Sequence, residues 1–162
     1  MKSKINKYDK IFVAGHNGMV GKAVINKLKE NNFNNLLTIN KDKLDLTNTA
    51  AVKDWFLNNK PDVVIIAAAK VGGIHANNIF PTKFLLDNLK IQNNLIELSW
   101  KNNTSRLLFL GSSCIYPKLS KQPIKEEYLM SGTLEETNKW YAIAKISGIY
   151  LCNALRKEHN FD

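Results

Sequence analysis

A glycine-rich turn between an apolar run and an amphipathic segment constrains the fold more than any other feature. Residues 10–14 predict a strand, and a G-x-x-G-x-x-G pattern follows it directly. One glycine permits a tight turn, another lets the backbone approach a pyrophosphate, and a third lets the next helix lie close to the sheet. The N-terminus of that helix offers free N–H groups to phosphates. The turn therefore predicts a dinucleotide site made by Gly15, Asn17, Gly18, Met19, Val20 and Gly21.

A P-loop and a turn that binds no ligand both fit the glycine pattern less well. The end of the pattern, Gly21-Lys22, resembles a P-loop, but His16 and Ala23 stand where that motif requires Gly and Ser or Thr. A purely structural turn is conceivable because a glycine pattern alone is a weak signal. The position of the turn between a strand and a helix favours the dinucleotide site.

Strand-like and helix-like segments alternate along the rest of the chain. The later predicted strands are residues 36–39, 44–46, 62–69 and 106–110, of which 44–46 is the weakest. The predicted helices are residues 19–31, with Val20, Val24 and Leu28 inward, a helix capped by Thr47 or Asn48, and residues 81–101 and 141–157. The run at 62–69 is apolar on both faces, which is typical of a buried parallel strand. This alternation predicts an α/β fold with a doubly wound parallel sheet, a Rossmann fold.

The residues after the second predicted strand bear on the choice between NAD and NADP. An acidic residue there binds the ribose 2′-hydroxyl of NAD, whereas a cation accommodates the 2′-phosphate of NADP. Lys41 favours NADP and Asp42 favours NAD. We predict NADP, with Lys41 at its phosphate; the alternative is that Lys41 is one of many exposed lysines. Asp45 and Leu46 are further candidate cofactor contacts.

A tyrosine and a lysine four residues apart predict a proton-transfer site. Tyr141 and Lys145 form a Y-x-x-x-K pattern, and such positions share one face of a helix. The lysine charge is expected to lower the pKa of the phenol from about 10, so that Tyr141 exchanges a proton near neutral pH. Ser112, or its rival Ser113, follows the fifth predicted strand, where ligands of parallel sheets bind. The candidate cofactor contacts in this region are Leu110, Gly111, Ser112, Ser113 and Lys145.

Together these features resemble the extended short-chain dehydrogenase/reductase superfamily, in its nucleotide-sugar-modifying branch. The resemblance covers nearly the whole chain and is sharpest in residues 15–21, 67–78 and 111–118. The Cys-Ile-Tyr-Pro-Lys string at 114–118 discriminates best, because other sugar epimerases and dehydratases usually lack that cysteine.

The resemblance implies an NADPH-dependent epimerase/reductase that acts on a GDP-linked 4-keto-6-deoxy sugar, inverting C3 and C5 and reducing C4. Tyr141 matches the proton donor to the C4 oxygen, and Lys145 matches the residue that binds the nicotinamide ribose. Ser112 matches the serine that orients the carbonyl, and Cys114 matches one member of the epimerisation pair. An inert thiol is the alternative for Cys114, and Cys152 is expected in the core. Two other functions compete with this one. The chain could belong to another nucleotide-sugar epimerase or dehydratase, or it could be a non-catalytic dinucleotide-binding fragment.

Two departures from the family pattern matter. The family often carries Arg at the position of Asn17, where it would help to bind the 2′-phosphate, so more of the NADP prediction depends on Lys41. The family's catalytic histidine and most residues that bind the GDP-sugar lie beyond the Tyr-x-x-x-Lys helix, and so beyond Asp162. We therefore expect one domain, residues 1–162, with an incomplete sheet and without the C-terminal substrate domain.

The resemblance also implies a homodimer. Residues 81–101 and 141–157 match the helices with which the family pairs two subunits as a four-helix bundle. The apolar stripe formed by Leu85, Leu89 and Ile96 fits a subunit interface, but it fits an ordinary core equally well.

Charge and composition exclude several other classes. The net charge is +9, yet only two of the 23 cations are arginine. Nucleic-acid readers rely on arginine forks, so we expect no nucleic-acid partner and a basic surface that attracts anions. The apolar runs are too short for a membrane span of about 20 residues or for a signal peptide, so a cytoplasmic protein with no membrane partner is expected. Two cysteines without a His/Cys cluster predict no metal site.

Overall fold

The computed structural model describes residues 5–162, and their strands form one parallel sheet. The strands are β1 (Ile11–Ala14), β2 (Leu36–Leu37), β3 (Val63–Ile66) and β4 (Arg106–Phe109). The helices are α1 (Met19–Glu30), α2 (Thr49–Asn59), α3 (Ile74–Ile79), α4 (Pro81–Lys101) and α5 (Lys139–His159). The strand order in the described residues is β2-β1-β3-β4, and every pair is parallel. The predicted α/β fold with a parallel sheet is confirmed.

Helices cover both faces of this sheet because β1 and β3 are apolar at every position. Side chains alternate between the two faces of a strand. Ile11 and Val13 therefore form one buried cluster, against which Val24 and Leu28 of α1 pack. Phe12 belongs to the larger cluster on the opposite face, which includes side chains from α2, α4 and α5. The doubly wound arrangement is thus confirmed.

Helix α5 lies close to β4 because it carries small residues where it crosses the strand. A Cβ atom added at Gly148 would lie 2.6 Å from the ring of Phe109. Ala142 and Ala144 are fully buried. Gln92 of α4 donates a hydrogen bond to the carbonyl of Ala144 at 2.7 Å, which joins the two long helices. This packing brings the N-terminal turns of α5 next to the end of β4.

The predicted strand at 44–46 is wrong, and this stretch is a loop. The Asp45 carboxylate accepts hydrogen bonds at 2.9 Å from both the backbone N–H and the hydroxyl of Thr47. Those bonds turn the chain towards α2 in place of extending it. Asn48, one of the two predicted caps, accepts a hydrogen bond from the N–H of Ala51 at the start of α2.

Further differences concern element length and side-chain direction. The predicted strand 62–69 shortens to β3, and the short helix α3 was not predicted. Val20 is 45% exposed at the start of α1, so only Val24 and Leu28 of that predicted face point inward. Of the stripe on α4, Ile96 is fully buried in the core, whereas Leu85 and Leu89 are only half-buried. Within residues 5–162, no helix is both long and apolar enough to cross a membrane.

Candidate active site

The glycine turn has the close contacts that a dinucleotide cradle requires. Gly15 adopts a φ of +87°, in the region that favours glycine. A Cβ atom at Gly15 would lie 2.6 Å from the backbone nitrogen of Ala68, and one at Gly21 would lie 2.1 Å from the Gly15 carbonyl oxygen. Gly18 is the N-cap of α1 and has no side-chain partner there. The turn therefore places the open N-terminus of α1 beside the end of β1, as a pyrophosphate site requires.

The end of β2 meets the glycine turn through two amides. Asn17 Nδ2 donates a hydrogen bond to Asn40 Oδ1 at 2.8 Å. Lys41 and Asp42 follow in an exposed turn. Their role at the ribose stays a prediction, and neither residue forms an ion pair with a described residue.

Asp45 and Leu46 have structural contacts that the sequence did not predict. Hydrogen bonds from the backbone and side chain of Thr47 lower the pKa of Asp45. The carbonyl oxygen of Leu46 accepts a hydrogen bond from Asn94 of α4 at 2.8 Å. Both residues therefore fix the loop between β2 and α2, and their cofactor contacts remain a prediction.

Ser112 and Cys114 lie together just beyond β4. The Cys114 thiol donates to the Ser112 hydroxyl, with 3.2 Å between Sγ and Oγ. Both side chains are half-buried, whereas Ser113 is exposed at the start of a single 3₁₀ turn. Of the two rival serines, Ser112 is therefore the one that the fold directs towards the other candidate residues. Cys152 packs against the core, where burial raises its pKa to about 11, so the core prediction is confirmed.

Lys145 is buried in the helix that faces this strand end. The residue is 4% exposed, and Nζ donates a hydrogen bond to the Leu110 carbonyl at 2.9 Å. Nζ also lies 5.9 Å from the centre of the Tyr141 ring. Burial lowers the pKa of Lys145 to about 8. The predicted proximity of tyrosine and lysine is confirmed, and the ammonium is held by a backbone carbonyl at the end of β4.

The predicted lowering of the Tyr141 pKa is wrong in this structure. Burial raises the pKa of Tyr141, and negative charge at Cys114 acts in the same direction, while a hydrogen bond with Ser112 opposes them. Desolvation disfavours the charged phenolate, and it outweighs the hydrogen bond with Ser112. Tyr141 is therefore a protonated phenol at neutral pH.

A buried amide that sequence reasoning missed holds the loop after β3. Asn88 of α4 accepts a hydrogen bond from the Lys70 N–H at 2.7 Å and donates to the Lys70 carbonyl at 2.9 Å. Asn77 donates to the carbonyls of Gly72 and Gly73 in the same loop. The sequence signal for Asn88 is an amide one helical turn before Gln92, which also bonds to a backbone carbonyl.

These elements define a Rossmann-type α/β fold with a Ser, Cys, Tyr and Lys cluster at the carboxyl edge of its sheet. The sequence profile of the NAD dependent epimerase/dehydratase family matches residues 11–162, and the chain belongs to that family.

Two curated relatives are named GDP-L-fucose synthase. GDP-L-fucose synthase 1 from Arabidopsis thaliana is 53% identical over 160 residues, which cover 99% of this chain and 50% of the relative. GDP-L-fucose synthase from Escherichia coli K12 is 48% identical over 153 residues, covering 94% of this chain and 48% of the relative. The chain thus spans about half the length of the curated relatives it matches.

Solved structures agree on the fold. A GDP-mannoheptose C4 reductase from Campylobacter jejuni, with NADP bound, superimposes with a TM-score of 0.95 at 37% identity. The superposition covers 98% of this chain and 50% of that one.

Proposed function

We propose that this chain is the cofactor-binding half of an NADPH-dependent epimerase/reductase that converts GDP-4-keto-6-deoxy-D-mannose into GDP-L-fucose. The observation that carries the proposal is the cluster of Ser112, Cys114, Tyr141 and Lys145 at the edge of a sheet that also bears the glycine cradle. GDP-L-fucose synthases from A. thaliana and E. coli are 53% and 48% identical to this chain, and this likeness favours the 6-deoxy sugar.

The glycine turn supports NADP as the cofactor. A side chain at Gly15 would clash with the backbone of Ala68, and one at Gly21 with the backbone of Gly15, so the glycines let α1 begin close to the end of β1. Lys41 stands at the end of β2, and the heptose reductase with this fold holds NADP. When bound, NADPH supplies the hydride for C4.

Tyr141 donates the proton in the reduction. Its raised pKa keeps the phenol protonated, which is the state required of a donor. As hydride reaches C4, the phenol proton passes to the C4 oxygen and leaves a phenolate, which solvent reprotonates. Ser112 donates a hydrogen bond to the same oxygen, and the Lys145 ammonium stabilises the phenolate as it forms.

Cys114 serves the epimerisation. The 4-keto group acidifies the protons on C3 and C5, so a base on one face can remove each proton and an acid on the other face can return one. Cys114 lies one hydrogen bond from Ser112, which places its sulfur next to the carbonyl that Ser112 would bind. The resemblance places the second member of the acid/base pair, a histidine, beyond Asp162.

The decisive experiment is an NADPH oxidation assay with GDP-4-keto-6-deoxymannose. It compares the 162-residue chain with a chimera that carries the second half of the E. coli relative, and the E. coli half alone is the control. We expect turnover in the chimera only. A chimera that folds and binds NADPH, but does not oxidise it with this substrate, would contradict the proposed activity.

We also propose a homodimer through α4 and α5. A groove of about 480 Å³ runs between these helices and is lined by Leu89, Trp100 and Leu151. Tyr150 on α5 is 51% exposed. Sedimentation at micromolar concentration should give a dimer for the wild type and a monomer for Leu89→Lys, and a monomeric wild type would contradict the interface.

A further inference from the structure

A cavity of about 530 Å³ opens between α1 and β2, next to the glycine turn. Its lining includes His16 and Asn17 from the turn, Lys22 and Lys29 from α1, and Thr38 just after β2. No Asp or Glu is among the described residues that line it. The cavity is therefore electropositive, and it begins where the ribose end of a dinucleotide lies in this fold.

The amide at this end of the cavity carries no charge to offer a phosphate. Asn17 is neutral, and its Nδ2 already donates to Asn40. A ribose 2′-phosphate carries a charge of about −1.5 to −2 at neutral pH, in analogy with other phosphate monoesters. Its binding therefore requires cations close to the Asn17–Asn40 pair.

Lys41 supplies only part of that charge. It lies on the β2 side of the site, and its field adds to the hydrogen bonds from Thr47 that lower the pKa of the Asp45 carboxylate. A second cation is needed on the α1 side.

The candidate on the α1 side is Lys22. It lies directly after Gly21, is exposed, and lines the same cavity as Asn17. Lys22 forms no ion pair with any residue from 5 to 162. Lys29 lies two turns farther along α1, about 10 Å from Lys22 along the helix axis, and so at the far end of the cavity.

We infer that Lys22 is a cofactor-specificity residue, whose ammonium binds the 2′-phosphate of NADPH from the α1 side while Lys41 binds it from the β2 side. This inference rests on the proposed function, because it concerns the same cofactor. It assigns the preference for NADPH over NADH to a residue outside the glycine pattern and outside the end of β2.

The test is fluorescence titration of NADPH and NADH against the 162-residue chain. Lys22→Ala should weaken NADPH binding by about fivefold, a loss of about 1 kcal/mol, and should leave NADH binding within about twofold. Lys22→Arg should keep the NADPH preference, because the guanidinium also binds phosphate. Lys29→Ala is the matched control on the same helix and should change neither affinity.

Three results would overturn the assignment, and they differ in what they say of the cofactor. If the wild type prefers NADPH and Lys22→Ala keeps that preference, Lys22 has no part in it and the proposed cofactor stands. Equal losses of NADPH and NADH binding would show a general effect on the turn. A folded wild type that binds neither nucleotide would overturn the proposed function together with this inference.

Discussion

The ammonium of Lys145 donates a hydrogen bond to the backbone carbonyl of Leu110, with 2.9 Å between Nζ and O. This bond joins α5 to the segment that follows β4. The helix that carries Tyr141 is thereby fixed to the chain that carries Ser112. Nζ also lies 4.5 Å from the centre of the Phe109 ring, so the charge is balanced by a carbonyl and an aromatic face.

The burial of Lys145 predicts a dependence of stability on pH. Its pKa falls to about 8 in the folded chain, from 10.5. Below pH 8 the folded chain carries the full cost of burying the charged ammonium of Lys145. Between pH 8 and about 10.5 the unfolded chain binds more protons at Lys145 than the folded chain does, so this cost falls and the free energy of unfolding rises with pH. Urea unfolding should show the wild type gaining about 2 kcal/mol relative to Lys145→Met between pH 7 and 9.5.

Lys157→Met is the control, because Lys157 is an exposed lysine on the same helix. Its stability curve should run parallel to that of the wild type. If the curve for Lys145→Met also ran parallel to that of the wild type, burial would not shift the pKa of Lys145.

Removal of the Tyr141 hydroxyl should separate chemistry from cofactor binding. In the active chimera, Tyr141→Phe deletes the proton donor and keeps the ring, so NADPH oxidation should fall by about 10²–10⁴-fold. The NADPH dissociation constant should stay within about twofold, because the phenol is not part of the glycine turn. Near-normal oxidation in this variant would remove Tyr141 from the mechanism.

Replacement of the Cys114 thiol should stop epimerisation first. Cys114→Ser puts a hydroxyl in the place of the thiol near Ser112 and so loses a group that ionises easily. Exchange of solvent deuterium into C3 and C5 of the keto sugar should therefore be lost in the chimera, while binding of NADPH persists. Mass spectrometry of the sugar measures this exchange, and an unchanged rate would reject the role of the thiol.

Two glycines of the turn should respond differently to alanine. A Cβ atom at Gly21 would lie 2.1 Å from the Gly15 oxygen, whereas one at Gly18 would lie 3.3 Å from it. Gly21→Ala should therefore lower the free energy of unfolding by about 1–3 kcal/mol. Gly18→Ala should fold with a loss below about 1 kcal/mol and bind NADPH about tenfold more weakly. Equal stability losses in the two variants would contradict this division.

The contact between Gly148 and Phe109 predicts another stability difference. Gly148→Val forces methyl groups into the ring of Phe109, so the free energy of unfolding should fall by about 2–3 kcal/mol. Gly73→Val is the control, because a Cβ atom there meets nothing within 4 Å. Its cost should stay below about 1 kcal/mol, that of a changed N-cap. Similar losses in both variants, measured by urea unfolding, would contradict the close packing of α5 on β4.

The sheet and its helices could be predicted because their signals are long and local. Val63–Ile66 is a continuous apolar strand, and the glycine turn marks both the end of β1 and the start of α1. The error at 44–46 arose because Leu-Asp-Leu alternates like a strand, while the Asp45 side chain decides the backbone by bonding to Thr47. Helix α3 has only six residues and follows two glycines, so it is too short for a periodic pattern to predict it.

The sequence predicted which residues form the site, but it did not predict the pKa shifts of their side chains. The spacing of Tyr141 and Lys145 placed both on one helical face, and the fold brings Ser112 and Cys114 to them. The direction of the Tyr141 pKa shift depends on burial, which no motif encodes. Lys22 was also invisible as a candidate, because its role depends on a cavity formed by α1 and β2.

Helix α4 contacts three separate loops or helices through amide side chains. Asn88 bonds to Lys70 after β3, Gln92 bonds to Ala144 of α5, and Asn94 bonds to Leu46 before α2. Each amide donates to a backbone carbonyl, so a carboxylate in its place would meet that carbonyl with like partial charge. Conversion of any of the three amides to a carboxylate would therefore loosen a different side of the domain.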